Sequence, residues 1–227
     1  MLDLHKPQAN PTPVPKAPRT KRAPPTKSLA TADRILEAAL EEFAVLGFEG
    51  ARIANIAERA GINHPLIHHY FGSKDALWQT AVQHAFAPLA GTYQEAVLEL
   101  RDAKPLDVIR IMMRRFILFS ARNPNVGMIV SHESMIGGPR LAWLAKTTLR
   151  PFYEGVGALL DVAVKNGDIK PLPKASVIQA LIGAIVQFYS AGPLMKELYG
   201  IDPLSPRYVQ EHADVIMDIV FNGLAVR

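Results

Sequence analysis

The sequence predicts an all-α protein, with a small N-terminal group of three helices followed by a larger helical domain. Three observations predict this. Apolar residues recur at three- and four-residue spacing from Leu36 to the C-terminal segment. No stretch sustains the period-two alternation with β-branched enrichment that a half-buried strand needs. Glycine and proline break the chain at intervals that suit helices, as at Gly47, Gly61, Pro105 and Pro124.

Each element follows in order. Thr31 is placed to cap a first helix, with Asp33 near its positive end; Leu36, Ala39, Leu40 and Phe43 form its apolar face, and Gly47 ends it. Ile53, Ile56, Ala57 and Ala60 form a second short helix closed by Gly61. Asn63 is placed to cap a third, which carries Ile67, Tyr70 and Phe71. Ser73 is placed to cap a long fourth helix, from Lys74 to about Leu100, with Ala76, Leu77, Ala81 and Ala85 inward and a kink expected at Pro88. Further helices are predicted over 106–122, 125–134, 139–165 (split at Pro151), 174–198 and 206–225. There is no internal repeat.

Charge and composition set limits. Residues 1–29 hold six Lys or Arg, one acid and seven of the 18 prolines, while the remaining chain is near neutral. The tail therefore reads as disordered and extended, either a solvated leader or a basic arm for phosphates. It lacks the apolar stretch of a secretory signal. With no cysteine among the 227 residues, disulfides, thiolate metal sites and cysteine nucleophiles are excluded. No G-x-S-x-G elbow, phosphate-binding glycine loop or H-E-x-x-H is present, so the chain reads as a non-enzyme that needs no cofactor. The uncharged run Ala175 to Met195 is long enough for a bilayer, but Gln179, Gln187 and Pro193 interrupt it and no second span accompanies it. It reads as a helix buried in a bundle or between copies of the chain.

Ile53 to Phe71 carries the functional signal. Two short amphipathic helices joined through Ala60-Gly61-Ile62-Asn63 have the form of a helix-turn-helix, with the small Ala57 where the helices cross. Around it stand Arg34-Ile35-Leu36-x-Ala38-Ala39, Phe43-x-x-x-Gly47-Phe48, Ile56-Ala57-x-x-Ala60-Gly61-Ile62 and Tyr70-Phe71-Gly72-Ser73-Lys74-Asp75-x-Leu77. Over these residues the sequence resembles the N-terminal domain of the TetR family of transcriptional regulators. The resemblance implies a DNA-binding domain over 30–76 and a ligand-binding, dimerising domain over 77–227.

Ile67 and Phe71 are expected to face the small core. His64, Pro65, Leu66, His68, His69 and Tyr70 are then the candidates for DNA contact on the third helix, with Arg52 before the second helix. Lys74 matches the family's phosphate-contacting lysine. The sequence departs from the family where Ala51 and Arg52 replace the usual threonines, and where His68 replaces the usual tyrosine. Residues 31–80 are themselves net acidic, so DNA affinity is expected to rest on a few placed cations, histidine protonation and the tail. His64 and His68 share metal-ligand spacing, but no third ligand stands near, and no metal is assigned.

In the larger domain, Met112, Phe116, Phe119, His132, Trp143, Phe152, Tyr153 and Phe188 are the candidates to line an effector cavity. Two-fold pairing of the last two long helices is implied by the resemblance. Its candidate residues are Ala180, Gly183, Ala184 and Gln187 on one, and Val209, Ala213, Ile216 and Val220 on the other. The whole then reads as a cytoplasmic homodimer, a repressor released from a near-palindromic operator by a small molecule, with the fourth helix as the lever. The competing reading is a helical scaffold that uses the helix-turn-helix for protein contact.

Overall fold

Helix α1 (Thr26–Gly50) buries Ile35, Leu36, Ala39 and Phe43 along one stripe, the spacing the sequence shows. These coordinates are a computed structural model, which describes residues 26–100 and 103–224. The predicted extended tail of residues 1–29 lies outside the described residues as far as residue 25, and its last four residues are helical instead, as the first turn of α1. Nothing between Thr26 and Thr31 opposes a helix, so α1 starts at Thr26 and Thr31 sits inside it rather than capping it. Gly47 does break the helix, at φ 66° and ψ 176°. That backbone conformation is open in practice only to glycine.

Helix α2 (Ile53–Ala60) ends on Gly61 in the left-handed conformation, whose N–H and that of Ile62 return to Glu58 and Ala57. Helix α3 (His64–Phe71) begins after Asn63, but the Asn63 side chain makes no cap hydrogen bond. Pro65 has no N–H to offer, and the Leu66 N–H is already taken by the Asn63 carbonyl. Ser73 does cap α4 (Lys74–Glu99), its Oγ accepting from the Ala76 N–H at 3.1 Å. Helix α4 continues through Pro88.

The N-terminal core closes around Phe43, Ile56, Ile67, Leu77 and Trp78, each fully buried or nearly so. Burial of each such side chain contributes about 2 kcal/mol. Ile129 and Leu144 join the same cluster from α6 (Pro124–Ile136) and α7 (Pro139–Leu144), so the small domain is not sealed by its own residues alone.

The larger part adds α5 (Pro105–Arg122), α8 (Arg150–Lys165), α9 (Lys174–Ser190), α10 (Gly192–Tyr199) and α11 (Pro206–Leu224). Three expectations change here. The 139–165 segment is not cut at Pro151: a wider turn over Ala145–Leu149 links α7 to α8 and gives room to a ring that would otherwise meet the carbonyl four residues back. The 174–198 segment is two helices, bent by 73° after Ser190, because Pro193 cannot donate the next helical hydrogen bond. Among the described residues no single helix is long and apolar enough to cross a membrane. Third, Ala213, Ile216 and Val220 are buried against Met113, Ile117, Ile185 and Tyr189 of the same chain, with Val209 packed beside them. Ala213, Ile216 and Val220 are therefore used inside the protomer, while Val209 keeps part of its surface.

Candidate functional site

The third helix is held by one anchor. Ile67 is buried and Phe71 packs against the same core, so α3 turns His64, Pro65, His68 and His69 to solvent. Leu66 and Tyr70 are half-buried; the Tyr70 ring packs on the core and against His69 and Phe71 at 5.9 and 6.1 Å. Pro65 adds stiffness at the first turn. The exposed face thus offers imidazole nitrogens that accept or donate one hydrogen bond each, with a rigid apolar ring between them.

Two elements set α3 in place, and the sequence reading missed the first. Glu42 of α1, only 3 % exposed, accepts hydrogen bonds from the Arg52 backbone N–H at 3.3 Å and from Asn55 Nδ2 at 2.8 Å. Its carboxylate lies at the positive end of α2 and satisfies the backbone N–H of Arg52, the residue before the helix, as the acid of a capping box does. Arg59 completes the lock, bonding Glu41 at 2.9 Å and Glu42 at 3.5 Å. An acid beside Phe43, on the inward stripe of α1, was the available signal. Arg59 is thereby committed to α1, whereas the exposed Arg52 side chain forms no ion pair among the described residues. Lys74 stands at the start of α4, its Nζ 4.7 Å over the Phe48 ring and 3.5 Å from the Glu49 carbonyl. Cations and helix N-termini therefore flank the exposed face of α3, an arrangement that suits phosphate oxygens. No group of three or more potential metal ligands occurs among the described residues.

The end of α1 is gripped from the other side. Arg140 lies 4.0 Å over the same Phe48 ring, bonds the buried Glu133 at 3.2 Å and reaches Glu49 at 3.3 Å. The His132 ring fills the space beside Gly47, where any Cβ would overlap it. Trp143 packs on Trp78 at 5.5 Å between ring centres. His132 and Trp143 were expected at an effector cavity; they form the joint between α6–α7 and the small domain instead. Helix α6 faces two ways along its length, so i and i+1 residues point to different neighbours.

The opposite side of α6 borders a cavity of about 310 Å³, walled by α4, α5, α6, α8 and α9. Phe116, Phe119, Phe152 and Tyr153 are on its wall, as the sequence suggested. A second, apolar chamber of about 60 Å³ holds Met112 and shares Leu89, Phe116, Phe152 and Ile182 with the first. Burial raises the Tyr153 phenol above its ordinary value, so it stays a neutral hydrogen-bonding group. Phe188 borders neither chamber; it stacks on His212 at 3.9 Å between α9 and α11. Burial lowers the His212 imidazole, partly offset by a hydrogen bond to the Ala184 carbonyl.

On α9, Ala180, Gly183, Ala184 and Gln187 are exposed in the protomer, and Gly183 and Gln187 also border the larger cavity. On α11 the exposed large apolar residues among those described are Val215 and Ile219. The α11 residues named from the sequence, Ala213, Ile216 and Val220, are instead buried within the protomer.

Comparison with known proteins adds the context. Residues 35–81 match the model described as bacterial regulatory proteins, tetR family, and residues 105–220 match the tetracyclin repressor-like C-terminal domain. The HTH-type transcriptional regulator RutR of Escherichia coli is 25% identical over 197 residues, 85% of this chain and 90% of the relative. The HTH-type transcriptional repressor NicS of Pseudomonas putida is 27% identical over 200 residues, 86% and 92% of the two chains. The fold is similar to that of the transcriptional regulator FadR from Bacillus subtilis in complex with stearoyl-CoA, with a TM-score of 0.62 at 16% identity over 84% of this chain and 98% of that one.

Proposed function

The chain belongs to the TetR family of helix-turn-helix transcriptional regulators, and on that premise we propose that it is a cytoplasmic homodimer that represses transcription from a near-palindromic operator and is released by a small molecule. One observation carries the DNA-binding part: α3 exposes His64, Pro65, His68 and His69 between the cations Arg52 and Lys74. The histidines and Leu66 meet base edges in the major groove; Arg52 and Lys74 meet phosphates. Dimerisation through the exposed faces of α9 and α11 sets two such helices on two half-sites.

Release follows from the two-sided role of α6. A ligand in the larger cavity touches Val126, Val130 and Ser131, while His132 and Glu133 of the same helix hold Gly47 and Arg140. Helix α4 runs alongside, with Lys74 at the DNA end and Phe86 and Leu89 at the cavity. Ligand and DNA then oppose each other by a coupling of about 1–3 kcal/mol. That FadR of Bacillus subtilis, similar in fold, forms a complex with stearoyl-CoA supports a ligand-responsive reading.

The test is selection from a random-duplex library by the purified chain at near-physiological salt with competitor DNA. The expected result is an enriched near-palindrome bound two chains per duplex. Folded protein that enriches nothing contradicts the reading and favours a scaffold that uses α3 for protein contact.

A further inference from the structure

The walls of the larger cavity name the chemistry of what enters it. They include no Lys, Arg, His, Asp or Glu among the described residues. They do include hydroxyl and amide groups, of which Ser120 is the most telling. Ser120 is 6 % exposed, sits on the cavity wall and forms no side-chain hydrogen bond among the described residues. Its hydroxyl opens on the cavity, where a ligand can bond to it in place of water. Asn123, three residues on along α5 and so on the same side of the helix, is part of the same wall. Its Nδ2 donates to the Phe119 carbonyl at 2.9 Å, which fixes the amide plane and leaves Oδ1 to accept. Gln179 borders the cavity from α9 and also has no hydrogen-bond partner among the described residues.

The apolar side is equally specific. Phe116 and Phe152, 5.3 Å apart between ring centres, lie where the larger chamber, with its few polar groups, meets the small apolar one. Among the described residues the cation on the walls of that small chamber is Arg115, and its Nη1 already donates to the Thr92 carbonyl at 3.2 Å. A carboxylate or an ammonium placed between Ser120 and Asn123 would lose water and meet no opposite charge, a heavy penalty in a largely apolar site.

We infer that the effector is an uncharged amphiphile, with a hydrogen-bonding amide, lactam or hydroxyl head seated at Ser120 and Asn123 and a short hydrocarbon or aromatic end between Phe116 and Phe152. This rests on the ligand-responsive reading above and narrows it to one class. It also sets the chain apart from FadR of Bacillus subtilis, whose stearoyl-CoA is a charged ligand.

Matched fragment triads test it: the primary amide, the carboxylate and the primary amine on each of a series of short alkyl and phenyl skeletons. Binding to the full chain is read by ligand-observed NMR, with Ser131→Trp as a variant that fills the cavity from an exposed wall position. The expected result is binding by amides, abolished in Ser131→Trp, with the charged members at least about 10-fold weaker. Ser120→Ala should weaken amide binding about fivefold while leaving the melting temperature nearly unchanged. Charged members that bind as well as the amides overturn the inference, as does a complete lack of binding that depends on the cavity. Operator release is scored separately. Charged fragments that release DNA contradict the ligand class and keep the regulator reading. Amides that bind the cavity and leave DNA affinity unchanged keep the class and contradict the regulator reading.

Discussion

Around Trp78 the side chains of Phe43, Phe48, Leu77 and Trp143 close on one another, and the small domain has a filled core. Around Phe116 and Phe152 the side chains stop short, leaving about 310 Å³ beside Ser120 and Asn123. One chain thus holds a packed region and a hollow one, and the same helix, α6, borders both. The contrast matches two tasks. Reading base edges needs α3 held within a fraction of an ångström, which packing and the Glu42 cap provide. Taking up a ligand needs volume that the native core does not fill.

Truncation separates the two regions most strongly. Trp78→Ala should cost about 4 kcal/mol, because the ring leaves a void in a filled core. Phe116→Ala should cost well under half of that, since its ring already borders empty space and makes fewer contacts. Urea unfolding of both variants checks this, and equal losses would remove the distinction between packed and hollow. The joint is the next largest effect. Gly47→Ala should cost about 3 kcal/mol, combining a forbidden backbone conformation with overlap on His132. Adding His132→Ala should recover the overlap part and leave about 1–2 kcal/mol of backbone strain. No recovery would mean that the two domains do not meet through this contact.

Lys74→Ala probes the packed region's outer face. It should weaken binding to every DNA sequence alike and lower the slope of affinity against salt by about one unit. A loss confined to one sequence would move Lys74 from phosphate to base contact. The smallest effect belongs to Tyr189, buried in the larger domain with no partner for its hydroxyl. Tyr189→Phe should be neutral or stabilising by up to about 1 kcal/mol. Its pKa is raised by burial from 10.0 to about 12, so between those pH values the unfolded chain ionises while the folded one does not. Stability of the wild type should therefore fall as pH rises through that window, and the Phe variant should lose this part of the slope.

The sequence made the small domain legible because its signals are local. The stripe of α1, the break at Gly47, the left-handed Gly61 and the Ser73 cap each act within a few residues. The Glu42 cap spans ten positions and the Arg140 grip about ninety, and no periodicity reports such distances. In the larger domain the apolar stripe of α11 was correctly seen, but period alone does not say whether Ile216 and Val220 meet their own core or a second copy. The same limit applies to the aromatic residues. Phe116, Phe152 and Tyr153 reached the cavity, while His132, Trp143 and Phe188, equally plausible by residue type, were drawn into other contacts. The break after Ser190 was visible in Gly192-Pro193, but the uncharged run across it suggested a single helix.

The central claim is that the exposed face of α3 reads base edges. The most direct measurement is a parallel selection from one random-duplex library by the wild type and by His64→Ala/His68→Ala. Both histidines are exposed and their removal should leave the fold intact, which thermal unfolding checks. The account predicts a near-palindrome for the wild type and, for the variant, relaxed preference at matching positions in both half-sites, with about 1–3 kcal/mol lost at each altered base pair. An unchanged consensus at unchanged affinity would contradict it, because sequence would then be read by some other surface of the chain.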